Sequence, residues 1–345
     1  MDELHLLRSM VSLYSPTGKE RQLADFLVET MRMNGFHSYR DEIGNVIGIV
    51  GNGGEDILLV GHIDTVPGEI PMMEKNRVLY GRGSVDAKSS LAVMICAAQH
   101  FVCNPKKRIV VIGAVDEEGN SAGARNLLGK YNPKYVIIGE PSGWDAVTIG
   151  YKGCLKFIYE IKGENIHIGT PYLTEIEEGI EFWGRLKKNY TLCDSSSLFD
   201  SVSSKLISFN TVNDGLHTCI QMQIDIRIPP GINIDDVKES LDKLKTKGKI
   251  RWIKEEKPVM SAKNNVLVRA FISAIRSEGG TPLLKKKLGT SDMNILGNYW
   301  HIPIVAYGPG NSKLDHTPNE CICLNDYQKA IKILNNVLKN LIETN

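Results

Sequence analysis

An excess of charge of either sign is missing from this 345-residue chain: 41 lysines and arginines stand against 40 aspartates and glutamates, a formal net charge of +1. Without a single-sign field nothing holds a phosphate backbone or an anionic lipid surface, so no nucleic-acid and no membrane partner is expected. Long apolar runs are missing too. The most apolar segments, IVVIGAV and LAVMICAA, fall far below the ~20 residues of a spanning helix. MDELHLLRSM lacks the basic region and apolar stretch of a signal peptide, and the expectation is a soluble, cytoplasmic protein. The seven cysteines (Cys96, Cys103, Cys154, Cys193, Cys219, Cys321 and Cys323) form no C-x-x-C pair and are odd in number, which argues against a disulfide framework and suggests buried free thiols. No phosphate loop is present: GRGSVDAKSS matches neither G-x-x-x-x-G-K-[ST] nor G-x-G-x-x-G.

What is present is ordinary globular composition, 42% apolar and 23% charged, on a chain long enough for two domains. Helical spacing of apolar residues predicts a helix over Asp2 to Tyr14, stopped by Ser15-Pro16-Thr17-Gly18, and another over Lys19 to Asn34, stopped by Gly35. NVIGIV, DILLVG, IVVIGAV and YVIIGE are short continuous apolar runs, the pattern of strands buried on both faces. They alternate with helices expected at Lys88 to Phe101 and Ala122 to Lys130, which predicts an α/β sheet covered by helices. After about Gly150 the pattern changes. KFIYEIKG, KLISFNTV and HTCIQMQIDIRI, with helices near Tyr172 to Asn189 and Ile234 to Lys245, read as an inserted α+β block. The α/β character resumes from about Pro258, with helices near Asn264 to Ser277 and Asn325 to Ile342 flanking the strand IPIVAY. The expected domains are therefore 1–150 with 255–345, interrupted by 151–254, and the serine-rich stretch Asp194 to Ser204 is expected to be a surface loop.

Chemistry-bearing residues cluster where these strands end, the place where open α/β sheets bind ligands. His62 ends DILLVGH, and Asp64 two positions on can lie on its side and orient it. Asp86 follows two glycines at a helix entrance, where an N-cap is the alternative reading. Asp116-Glu117-Glu118 ends a fully apolar strand; adjacent carboxylates repel, and so require a cation or an unusual proton load unless the turn is solvated. Glu140 ends YVIIGE, and His316 sits in a Gly- and Pro-rich loop after IPIVAY. Two imidazoles and several carboxylates at one sheet's strand ends suit a two-metal hydrolase.

In order and spacing, GHIDTVPG, GRGSVDAK, DEEG, GEPS, GTSD and Asp315-His316 resemble the motifs of the ArgE/DapE-type co-catalytic zinc amidohydrolases, over essentially the whole chain. This family includes aminoacylases, carboxypeptidases and succinyl-diaminopimelate desuccinylase. The resemblance implies a catalytic domain with a mixed, mostly parallel sheet and an inserted α+β lid and dimerisation domain, hence a homodimer. It implies two Zn²⁺ ions, with Co²⁺ able to substitute: His62 and Glu140 on the first, Glu118 and His316 on the second, and Asp86 bridging, with Asp64 behind His62. Glu117 is then the general base, which takes a proton from a water acidified by the metals and delivers it to the leaving amine. His167, in the pattern H-x-x-x-P with Pro171, corresponds to the lid histidine that stabilises the oxyanion in a partner subunit; Ile168 replaces the usual small residue after it. Arg227 corresponds to the residue that pairs with a substrate carboxylate, and Asn213, Gly289, Thr290, Ser291 and Asp292 to further substrate contacts.

The form V-D-A-K, the segment GEPSGWDAVTIGYKG and the short length are most similar to the branch that releases lysine or ornithine from a LysW-type acidic carrier protein in lysine and arginine biosynthesis. The bond cut there joins the γ-carboxyl of the carrier's C-terminal glutamate to the amino acid's α-amino group. The alternative within the family is a small-molecule deacylase, such as acetylornithine deacetylase or the desuccinylase. Lys285, Lys286 and Lys287 form either a basic rim for an acidic carrier or a solvated face.

Overall fold

Every residue of the strand Asp56–His62 is buried, because neighbours lie on both sides of it and helices cover its faces. It pairs in parallel with Arg108–Ala114 on one edge and Pro133–Gly139 on the other. The computed structural model describes residues 2–104, 106–190 and 197–343. The chain divides into two units: Met1–Gly150, Ser261–Lys285 and Ser291–Asn345 in the larger, Tyr151–Met260 and Lys286–Thr290 in the smaller.

In the larger unit the strand order is His37–Arg40, Val46–Val50, Arg108–Ala114, Asp56–His62, Pro133–Gly139, Ile304–Ala306, Ala146–Tyr151. The sheet is mixed, as expected for the family. Its parallel part is the four central strands, while the flanking pairs are antiparallel. His37–Arg40 and Val46–Val50 are joined by a short turn, which only an antiparallel pair can use. The helix Lys88–Gln99 is buried from Lys88 to Ala98, so it has no polar face to give to water and forms the middle of the core with Val266–Ser277 and Leu324–Glu343. Most helices are shorter than the periodicity predicts, and two show why. The first is Glu3–Ser12, with Asp2 accepting from the N–H groups of Leu4 and His5. Ala122–Arg125 is a single turn, and the segment beyond it bends at Gly129, whose φ of 77° no helix contains.

The smaller unit is a four-stranded antiparallel sheet in the order Ser203–Asn213, His217–Ile228, Gly153–Glu164, Lys249–Glu256. Alternate residues Leu155, Phe157, Tyr159 and Ile161 point to one face and pack with Phe182 and Leu186 of Glu175–Asn189 and Val237 and Leu241 of Ile234–Leu244. Lys249–Glu256 is a strand that alternation did not reveal. Glu256 pairs with Cys154, so the smaller unit runs to Met260, past the expected boundary at 255. Of the serine-rich stretch, 194–196 lie outside the described residues; Ser197 to Asp200 form a turn, and Ser203 and Ser204 open the edge strand. Among the described cysteines only Cys96 and Cys154 are buried; Cys103 is exposed and Cys193 lies outside the described residues. No helix among the described residues is long and apolar enough to cross a membrane.

Candidate metal centre

Parallel strands deliver the first two donors. His62 is the last residue of its strand and is 2% exposed; its Nδ1 lies 2.8 Å from the main-chain oxygen of Asp64 and 3.5 Å from that residue's Oδ1. The carbonyl is the nearer acceptor. It fixes the proton on Nδ1 and leaves Nε2 to ligate. The carboxylate of Asp64 is engaged elsewhere: it accepts from Thr17 Oγ1 at 2.8 Å and from the N–H groups of Glu117 and Glu118 at 3.0 and 3.1 Å. Asp64 thus holds the acidic loop in place as well as standing beside His62. Glu140 comes directly after Pro133–Gly139 and is buried.

Asp86 is not an N-cap. The cap position of Lys88–Gln99 is Ala87, and no side chain caps that helix. Instead Asp86 Oδ1 lies 3.3 Å from His62 Nε2 and its Oδ2 lies 3.0 Å from His316 Nε2, one oxygen toward each imidazole. Gly83 makes the approach possible. Its φ is 82°, and a Cβ there would stand 2.8 Å from Cδ of the buried Lys88, whose ammonium donates to the carbonyl of Leu13 at 2.6 Å. Burial brings the pKa of that ammonium down to about 7.

The acidic turn is half-buried, not a fully solvated surface turn. Glu118 Oε1 lies 3.0 Å from His316 Nε2. Asn45, fully buried, accepts from Val115 N–H and donates to the Gly123 carbonyl, and so pins both ends of the loop that carries the glutamates. Donor atoms of His62, Asp86 and Glu140 lie within 4.8 Å of one another, as do those of Asp86, Glu118 and His316, and of His62, Glu117 and Glu118. Asp86 is common to the first two sets.

Electrostatics mark the same atoms. Burial pushes the Glu117 carboxyl well above its ordinary value; His62 opposes this, and Glu140, Asp292 and Glu118 reinforce it. Hydrogen bonds to Asp86 and Glu118 raise His316 to about 10. Burial would lower His62, but Asp64 and Asp86 overrule it and raise the imidazole well above the ordinary range. The carboxylates around both imidazoles thus favour positive charge at this place. Nitrogen and carboxylate donors this close together fit two borderline divalent ions.

Of the remaining expected site residues, His167, Asn213, Arg227 and Ser291 have other partners in the structure. His167, Asn213, Arg227, Gly289 and Thr290 belong to the smaller unit. His167 is exposed and its Nδ1 accepts from Gly169 N–H at 3.1 Å. Asn213 closes the hairpin between the edge strand and His217–Ile228, donating to Thr218 Oγ1 and accepting from Gly215 N–H. Arg227 donates from Nε and Nη2 to both oxygens of Asp225, at 2.7 and 3.1 Å. Ser291, in the larger unit, caps the helix Asp292–Trp300 in a capping box with Asn294. The lysine run is not a free rim: Lys285 donates to the Ser142 carbonyl and Lys286 pairs with Asp200 at 3.3 Å. Thr17 and Asn45 carry no functional signal in the sequence. Thr17 is legible only as part of a helix stop, and nothing local distinguishes Asn45 from any turn asparagine.

A family model described as peptidase family M20/M25/M40 matches residues 58–340. The chain is 37% identical over 348 residues to a Deinococcus radiodurans protein named [LysW]-lysine hydrolase, covering 98% of this chain and 96% of that one. It is 33% identical over 345 residues to the [LysW]-lysine/[LysW]-ornithine hydrolase of Sulfurisphaera tokodaii, covering 97% and 94%. Among solved structures, a Bacillus subtilis protein described as a dinuclear metal binding peptidase from the M20 family superposes with a TM-score of 0.75 at 14% identity, over 99% of this chain and 98% of that one. Motif order, fold and full-length similarity agree, and the chain belongs to peptidase family M20/M25/M40.

Proposed function

We propose that this hydrolase uses two divalent ions to release lysine or ornithine from the γ-carboxyl of the C-terminal glutamate of a LysW-type acidic carrier protein. The observation that carries the two-metal part is Asp86, with one oxygen 3.3 Å from His62 Nε2 and the other 3.0 Å from His316 Nε2. The carrier part is supported by full-length similarity to relatives named for that substrate. Zinc is the proposed resident ion, with cobalt as a substitute, and the working state is a cytoplasmic homodimer. The larger unit is the catalytic domain, and the smaller unit is the lid and dimerisation domain.

His62 and Glu140 would hold one ion, Glu118 and His316 the other, with Asp86 shared. When bound, the ions supply Lewis-acid polarisation of the amide carbonyl and acidify water. Glu117 takes the proton of the attacking water and returns it to the departing α-amino group. Asp64 keeps that carboxylate in place by holding the Glu117 N–H. His167 would steady the developing oxyanion across the dimer, and Asn213, Gly289, Thr290 and Ser291 would line the substrate path.

Arg227 is the proposed partner of the free carboxylate of the bound amino acid. Its fork already holds Asp225, so the substrate carboxylate adds to or displaces that pair. Arg227→Ala is expected to raise KM for carboxylate-bearing substrates by about 10-fold or more, the loss of one charge-assisted hydrogen bond; an equal loss on an amide-capped analogue would remove Arg227 from this role. His167→Ala should lower kcat about 10²–10³-fold, as for a lost oxyanion donor, with metal content unchanged. An unchanged rate would take it out of the site.

The reading is tested by following hydrolysis of a carrier γ-linked to lysine or ornithine beside N-acetylornithine and N-succinyl-diaminopimelate, with a chelator control. Chelator-sensitive release from the carrier in preference to the small substrates is expected. The opposite preference would make the chain a small-molecule deacylase.

A further inference from the structure

Glu320 is 1% exposed and carries a carboxylate, which an interior tolerates only when it is paired and hydrogen-bonded. Its Oε1 accepts from the N–H groups of Val85 at 2.9 Å and Asp86 at 3.0 Å, and its Oε2 accepts from Arg82 Nη1 at 2.8 Å. Its main-chain oxygen accepts from Gly81 N–H at 3.2 Å. Arg82 Nη1 also reaches the carbonyl of Thr317 at 3.4 Å, next to His316. The turn that presents Asp86 and the loop that presents His316 are therefore fastened together through Glu320 and its partner Arg82.

The two metal clusters differ in how they are supported. His62 and Glu140 stand at the ends of Asp56–His62 and Pro133–Gly139, which ladder hydrogen bonds hold in the sheet. Asp86 and His316 lie in loops, and His316 has a φ of 60°. We propose that Glu320 is a positioning residue that sets the distance between Asp86 and His316, and thereby the affinity of the cluster Asp86, Glu118 and His316 for its ion. This rests on the proposed two-metal function.

The test is titration of the metal-free full-length chain with Co²⁺, read by calorimetry and by the cobalt absorption spectrum, with His316→Ala used to identify which binding event belongs to its cluster. Glu320→Ala should weaken that event by about 10–100-fold, the usual cost of losing an outer partner of a metal ligand, and weaken the other event less. Glu320→Gln keeps an oxygen for the two N–H groups but loses the charge opposite Arg82, and its affinity should fall between. Asn265→Ala, which removes the acceptor for Val268 N–H at a remote helix start, serves as a control: it should lower Tm and leave both affinities alone. Unchanged affinities in Glu320→Ala, or losses of equal size at both events that Asn265→Ala reproduces, would overturn the role of Glu320. If the alanine variant does not fold, Glu320→Gln decides, and native affinity in that variant overturns the proposal. Uptake of fewer than two ions by the unsubstituted chain would instead overturn the two-metal reading and this inference with it.

Discussion

Glu117→Gln is expected to lower kcat by about 10²–10⁴-fold, the usual contribution of a positioned general base, while the protein retains its full complement of metal. Glutamine has the same shape and cannot take the proton. Its backbone N–H still meets Asp64, so the loop should hold its course. The control is metal analysis of the same preparation, because the cluster of His62, Glu117 and Glu118 makes Glu117 a geometrically possible ligand. Loss of an ion together with activity would exchange the assigned roles of Glu117 and Glu118.

The second large effect is expected from Asp86→Ala. Asp86 is shared by the cluster with His62 and Glu140 and by the cluster with Glu118 and His316, so its removal should reduce metal content at both. His316→Ala should reduce it at one. Activity of Asp86→Ala should fall by more than the about 10²–10³-fold cost of a single lost oxyanion donor, since polarisation and water activation disappear together. Two ions per chain in Asp86→Ala, measured by elemental analysis, would end the shared-carboxylate arrangement.

These residues were legible in sequence because strands buried on both faces announce themselves as unbroken apolar runs, and the residues just after such a run lie at the sheet's carboxyl edge. His62, Glu117, Glu118 and Glu140 are found that way. Asp86 was ambiguous locally, since an aspartate before a helix has the residue type of a cap; its tertiary neighbours His62 and His316, not its flanking sequence, decide which it is. Thr17, Asn45 and Glu320 were illegible for a related reason. Each acts through hydrogen bonds to distant segments, most of them to main-chain groups that carry no mark in the sequence. The strand Lys249–Glu256 was missed because KIRWIKEE sets few apolar residues in alternation, and its place in the sheet comes from register with Gly153–Glu164. Arg227 is legible by motif, whereas its pairing with Asp225 two positions before it on the same strand leaves no mark in the sequence.

The interrupted course of the larger unit has a consequence for how the enzyme is made. A nascent chain that has left the ribosome as far as Gly150 carries His62, Asp86, Glu117, Glu118 and Glu140, but neither His316 nor the strand Ile304–Ala306 that extends its sheet. At about 5–20 residues per second, the remaining segment arrives roughly ten to forty seconds later. During that interval the chain holds His62, Asp86, Glu117, Glu118 and Glu140 without His316, which is only part of the proposed ligand set. The smaller unit, which is continuous in sequence apart from Lys286–Thr290, is synthesised within the same interval. On the proposed two-metal reading, the ligand set is therefore complete only once the segment beyond Ser261 has been made.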